Sequence, residues 1–148
     1  MPRDRSPWLR LGLSLVGVAI SAYLTLVHYD HHVSLTCPLH GGLVNCEAVV
    51  TSASSVVLGL PIALWGVLWF VVAGVLAGWP LVAGATTAGA RTVTMVWSVI
   101  GILSVLYFLY LELHVDGHLC IWCTMIHALV LAYLASIALS PPAPDAFQ

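Results

Sequence analysis

The sequence predicts an all-α integral membrane protein: a four-helix bundle with a long extracytoplasmic loop, carrying a short helical lid, between the first two helices. Three observations predict it. The chain has 148 residues, of which 61% are hydrophobic and only 7% charged, with no lysine at all. Soluble domains carry roughly a quarter charged residues, so a water-soluble chain of this composition would lack the polar groups to cover its surface. Four apolar runs, Leu9–Tyr29, Pro61–Trp79, Thr92–His114 and Leu119–Leu139, reach the roughly 20 residues that cross a bilayer. None has a charge in its middle; Arg10 and Glu112 fall near run ends, as expected where an unpaired charge at the bilayer centre costs several kcal/mol. The spans use most of the chain, so residues 1–148 read as a single membrane domain.

The first run opens like a secretion signal, with Arg3, Arg5 and Arg10 before an apolar stretch and small residues at Ser21 and Ala22. The apolar stretch continues through Leu24, Leu26 and Val27, which is long for a signal core, so it is expected to stay as a span. No cysteine lies near it, which excludes a lipoprotein anchor. All basic residues are arginines: Arg3, Arg5 and Arg10 precede span one and Arg91 lies between spans two and three. With four spans these regions share a side, and the positive-inside rule makes it cytoplasmic. Both termini are then cytoplasmic, in a cell inner membrane. The opposite side holds residues 30–60 and the turn 115–118, and both cysteine pairs map there. Arginines and cysteines therefore agree independently on an oxidising compartment, where disulfides form and persist.

The 30–60 connection is too long for a simple turn. Asn45 is placed to cap a short helix running through Cys46, Glu47, Ala48, Val49 and Val50, its side-chain oxygen accepting from a free backbone N–H. The polar stretch 51–55 ends or bends that helix, and Val56, Val57, Leu58 and Leu60 suit the membrane interface. Pro61 then fits the first turn of span two. The connection reads as a lid on the mouth of the bundle. Gly78-Trp79-Pro80 is expected to end span two, and the Gly/Ala/Thr-rich loop 81–90 shows no chemistry. Asp116-Gly117 forms a tight turn that makes spans three and four antiparallel neighbours. The tail 140–148, with three prolines, cannot continue a helix and is expected to be disordered.

Cys120-Ile121-Trp122-Cys123 is a C-x-x-C motif. Positions i and i+3 share a helix face, so both sulfurs point one way. The motif opens span four, where free N–H groups and the helix dipole favour an anion and hence the reactive thiolate. A structural disulfide or a metal half-site would use the same motif. Cys37 and Cys46 form a second pair, with Pro38, Gly41 and Gly42 between them to let the loop fold back; a plain loop staple is the simpler alternative. Together the pairs suggest more. A pair on a lid can take electrons from a soluble dithiol by thiol–disulfide exchange and hand them to a pair at the rim of an apolar pocket. A lipid-soluble two-electron acceptor, a quinone, has the solubility and electron count to receive them.

His127, one turn deeper than Cys123 on the same face, is a candidate quinone contact, or else an interior histidine bonded to a neighbouring helix. Ser52 and Thr51 are candidate donors to a carbonyl or thiolate, or else local caps. Trp65 falls near the pocket mouth; Trp65, Trp69, Trp97 and Trp122 suit either an interfacial belt or packing. His31, His32, His40, His114 and His118 gather on the outer side, but no second close ligand pair completes a zinc motif, and no metal is expected. Glu47, Glu112 and Asp116 read as solvated interface charges. No nucleic-acid partner is expected.

Cys37, the run Asn45-Cys46-Glu47-Ala48-Val49-Val50-Thr51-Ser52, then Leu58-Gly59-Leu60-Pro61 leading to Trp65-Gly66, and finally Cys120-Ile121-Trp122-Cys123 resemble the vitamin K epoxide reductase family, specifically its bacterial members. The resemblance extends from span one to span four. In the other bacterial family of quinone-coupled disulfide generators, the DsbB-like proteins, the C-x-x-C comes first; here the order is reversed. The resemblance implies that Cys37 takes electrons from a thioredoxin-like (DsbA-like) partner through a mixed disulfide, and that Cys46 relays them to Cys120. Cys123 then faces the quinone, menaquinone or ubiquinone, and Ser52 matches the family's serine near it. Some bacterial homologues have a fused thioredoxin-like domain; here the partner is expected to be a separate protein. The vertebrate enzymes carry an asparagine near the start of span two, where this chain reads Pro61-Ile62-Ala63-Leu64, and a tyrosine where His127 stands. Disulfide formation is therefore the expected activity. Reduction of a quinone epoxide is the enzymatic alternative, and a non-enzymatic membrane protein with two inert disulfides the other.

Overall fold

The computed structural model describes residues 6–30, 32–33, 35–38, 41–83 and 88–140. Four long helices carry the fold: α1 (Ser6–Tyr29), α3 (Ile62–Ala83), α4 (Ala88–Tyr110) and α5 (Ile121–Ala138), with a short α2 (Cys46–Val50) in the first connection. α4 continues into one turn of π-helix, Leu111–Asp116. Each of the four is long and apolar enough to cross a membrane, α4 together with its π turn. The protein is a multi-pass α-helical membrane bundle, as the composition predicts. Arg3, Arg5, His31, His40, residues 84–87 of the second connection and residues 141–148 of the tail lie outside the described residues.

The helix ends differ from the sequence expectations for local reasons. α3 passes through Pro80 and ends at Ala83. A proline so near the helix end forfeits only the bond to the carbonyl four residues back, while the following apolar residues still favour a bond-satisfied helix in lipid. α4 starts early enough to put Arg91 in its first turn rather than in a loop. The Arg91 guanidinium donates to the carbonyls of Ile137 at 3.3 Å and Ser140 at 3.1 Å, orphan acceptors at the C-terminal end of α5 where a cation is favoured. Arg10 is buried, its guanidinium turned back on Ser6. Pro61 falls just before α3, in a hairpin of β1 (Val56–Val57) and β2 (Leu60–Pro61) that pairs Val56 with Pro61. Leu58 and Gly59 both have positive φ, 55° and 79°, as a two-residue hairpin turn of the primed type requires.

Small residues let the helices approach closely. Gly17 of α1 lies under the Phe70 ring, and Gly101 of α4 lies flat against the Trp69 indole, where an added Cβ would meet Trp69 Cζ2 at 2.6 Å. Such contacts replace the hydrophobic drive that lipid does not supply between helices. Trp69 and Trp97 stack at 6.4 Å, and each indole N–H donates to the other's backbone carbonyl, at 3.3 and 3.2 Å. These two tryptophans are therefore packing residues. The Tyr133 hydroxyl, fully buried, donates to the Ala73 carbonyl at 2.7 Å. Outward-facing Leu15, Val75, Leu103 and Leu131 are exposed, an apolar coat suited to lipid.

The first connection folds over one end of the bundle. Val49 and Val50 of α2 pack with Leu24 and Val27 of α1 around Cys46 and Cys120 in a single buried cluster. His28 of α1 ties this lid down, its Nδ1 2.8 Å from the Val50 carbonyl oxygen.

Candidate active site

Both cysteine pairs meet in that cluster. Cys37 and Cys46 form a disulfide, with Cα atoms 6.0 Å apart, closing a loop that turns at Gly41 and Gly42, both at positive φ. Cys46 opens α2, which is capped as the sequence predicts: Asn45 Oδ1 accepts from the Ala48 N–H at 3.1 Å. Trp122, inside the C-x-x-C, donates its indole N–H to the Thr36 carbonyl at 2.9 Å, next to Cys37.

The lid is also stitched to the chain that precedes the C-x-x-C. The Leu119 N–H donates to the Leu43 carbonyl at 2.7 Å, and the Asn45 N–H donates to the Leu119 carbonyl at 3.1 Å. Asn45 immediately precedes Cys46, and Leu119 immediately precedes Cys120. The pairing joins the two segments, and Cys46 and Cys120 share one buried cluster, both almost fully buried.

Cys120 and Cys123 are free thiols. Cys120 does not lie within α5 but caps it. Its backbone is extended and its sulfur accepts from the Cys123 N–H at 3.2 Å, the contact an N-cap oxygen usually makes. The Cys123 side chain also hydrogen-bonds to the Cys120 sulfur and, against the effect of burial, holds the Cys120 thiol below its ordinary range. Cys120 thus ionises more readily than an ordinary thiol.

Glu112 is the residue that sequence reasoning misplaced. Read as a solvated charge, it is only 4% exposed. Its Oε2 accepts from the Cys120 N–H at 3.4 Å, and it shares a cavity wall with Cys123. The π turn is responsible: the extra residue per turn swings Glu112 inward, and such turns recur at functional sites. Asp116, half-buried at the end of the turn, accepts from the Ser54 hydroxyl at 2.5 Å. Glu47 is exposed, as expected.

Beside the cysteines lies an apolar cavity of about 760 Å³ between α1, α3, α4, α5 and the lid, with Cys123, Glu112 and His127 in its wall. Trp65 and His127 both line it. The Trp65 indole donates to the Val57 carbonyl at 3.1 Å, fastening α3 to the hairpin. Ser52 stands one step back from the wall, which is formed instead by Ser54 and Ser55. The Ser52 hydroxyl donates to the Val49 carbonyl at 2.9 Å, accepts from the Ser55 N–H at 3.2 Å, and lies 2.8 Å from Ser54 Oγ. Thr51 likewise bonds locally, to the Glu47 carbonyl at 2.8 Å. His28 lines the cavity as well; its place on α1 gave no sign of this, because the lid contact that orients it spans distant parts of the chain. Among the described residues, no cluster of His, Cys, Asp or Glu side chains is arranged to hold a metal ion.

Fold and site together define a multi-pass helical membrane protein with two cysteine pairs at one end of the bundle. The model of the vitamin K epoxide reductase family matches residues 8–138, nearly the whole chain, and the chain belongs to that family. It is accordingly an oxidoreductase, of a family whose chemistry involves quinones. No curated protein matches the chain.

Proposed function

We propose that the protein reoxidises a separate, extracytoplasmic thioredoxin-like protein and passes the electrons through its two cysteine pairs to a membrane quinone. The observation that carries this proposal is the pairing of Asn45 with Leu119, which joins the segments whose Cys46 and Cys120 share one buried cluster, while Cys123 faces an apolar cavity.

The steps follow from thiol–disulfide exchange. A partner thiolate attacks Cys37, forming a mixed disulfide and releasing Cys46; the partner's second thiol then leaves with its own disulfide. Cys46 attacks Cys120 of an oxidised inner pair and releases Cys123. Cys37 then attacks Cys46, which restores the lid disulfide and leaves Cys120 and Cys123 as thiols. That distribution, lid closed and inner pair reduced, is the one the structure holds. It corresponds to the point in the cycle just before the acceptor takes two electrons and two protons and the inner disulfide forms again.

The cavity supports a quinone as acceptor. It is mostly apolar, falls within the size range of small-molecule sites, and offers a few polar groups, His127, Glu112 and Ser54, to meet a carbonyl. Trp65 forms part of its wall, and Ser52 acts on it through Ser54. The arginine distribution supports placing the cysteine end outside the cytoplasm.

The test is direct: purified protein, a reduced thioredoxin-like partner and a quinone, followed by quinone absorbance. Quinone loss matched one-to-one by partner disulfide supports the proposal. Partner oxidation without quinone loss overturns it, and turnover of a quinone epoxide by the same preparation would favour the alternative activity.

A further inference from the structure

We propose that Glu112 is a catalytic proton carrier: it takes the proton from the Cys123 thiol as the inner disulfide forms and returns it to the reduced acceptor in the cavity. This rests on the inner pair being the one that reduces the acceptor.

Three observations carry the proposal. Glu112 is almost fully buried, in a span whose other charged residues, Arg91 and Asp116, stand at its two ends; an intramembrane carboxyl is costly and is kept where it works. It touches the reacting pair, accepting from the Cys120 backbone N–H, and its carboxyl is electrostatically coupled to the Cys123 thiol. It also borders the cavity, alongside Cys123, so one carboxyl reaches both the sulfur that loses a proton and the space where the acceptor gains one.

The balance closes. Oxidising the pair breaks two S–H bonds, forms one S–S bond and releases two electrons and two protons; a quinone taking up both becomes the quinol. One proton travels from Cys123 through Glu112. The other enters from the aqueous side, replacing the proton that Cys120 released on becoming thiolate.

The ionisable groups around Glu112 are Cys120 and Cys123 at the head of α5, and Asp116 on its own turn. His28 and His127 face the same cavity, His114 and His118 flank Glu112 along the chain, and Glu47 on the lid helix is exposed.

Glu112→Gln keeps the shape and the bond to the Cys120 N–H but cannot accept a proton; Glu112→Asp keeps the acid. Oxidation of the reduced pair is followed against pH with two acceptors, a quinone and diamide, which needs no quinone site. In the unaltered protein the rate rises with pH as the carboxyl ionises. Glu112→Gln is expected to lose on the order of 100-fold near neutral pH with either acceptor, and to recover as alkali ionises Cys123 directly. Glu112→Asp is expected to restore much of the rate. A Glu112→Gln protein with an unchanged rate and pH profile overturns the proposal, as does a loss equal at every pH, which would mark a purely structural residue. Unaltered protein that oxidises with diamide but never with quinone would sink the quinone reading, while the diamide profile still decides the role of Glu112.

Discussion

The backbone N–H of Asn45 donates to the carbonyl of Leu119 at 3.1 Å, joining the residue before Cys46 to the residue before Cys120. A loop and a helix start, some seventy positions apart along the chain, are thereby locked in register, and a buried transfer route between two cysteine pairs needs such a fixed approach. Reacting groups held in near-contact gain rate from orientation alone. Leu119→Pro removes the N–H that donates to Leu43. It is expected to slow turnover driven by a protein dithiol by about tenfold or more, while turnover driven by a small thiol acting directly on Cys120–Cys123 changes little. Steady-state assays with the two reductants check this.

The cysteines divide by role in the same pair of assays. Cys120→Ala or Cys123→Ala is expected to abolish quinone reduction with any reductant. Cys37→Ala is expected to block turnover with a protein dithiol while sparing some reduction driven by a small thiol. Full activity of the Cys37→Ala protein with a protein substrate would remove the lid pair from the route.

Cys120 is held below the ordinary thiol range, chiefly by the hydrogen bond from the Cys123 side chain. A lowered value means that thiolate persists as pH falls and is lost only when pH passes below it. In fully reduced protein, the iodoacetamide reaction of Cys120 should therefore have a midpoint below the roughly 8.5 of a free cysteine. Cys123→Ala should move that midpoint upward, as mass spectrometry of Cys120 labelling against pH would show.

Much of the fold is legible in the sequence because lipid leaves few choices: uninterrupted apolar runs must be helices, and the four runs predicted from composition are the four helices found. The cysteine pairs are legible as well, because spacing and chemistry are local. What stays hidden depends on contacts between distant segments. Nothing around Leu119 announces a partner at Asn45. Glu112 looks like an interface charge until the π turn carries it inward, and Ser52 proves to brace Ser54 and Ser55 rather than reach the cavity itself. Pro80 reads as a helix end by composition, but it stands close enough to the end of α3 to be carried through.

Packing around Trp69 offers a test of stability apart from chemistry. A methyl group at Gly101 would collide with the Trp69 indole, whose N–H is already engaged with Trp97. Gly101→Ala is expected to cost about 1–3 kcal/mol, the usual range for overpacking a tight core. A lower thermal midpoint in detergent would register it, with the thiol reactivity of the surviving folded fraction unchanged.

The most direct test of the relay is a trapped intermediate. With Cys37 and Cys123 both replaced by alanine, Cys46 and Cys120 have no partner but each other. Mild oxidation of the membrane-embedded protein, followed by peptide mass spectrometry, should yield the Cys46–Cys120 disulfide rapidly and in high yield. If these two cysteines stay unlinked in folded protein, electrons do not pass from the lid to the inner pair by this route, and the account is contradicted.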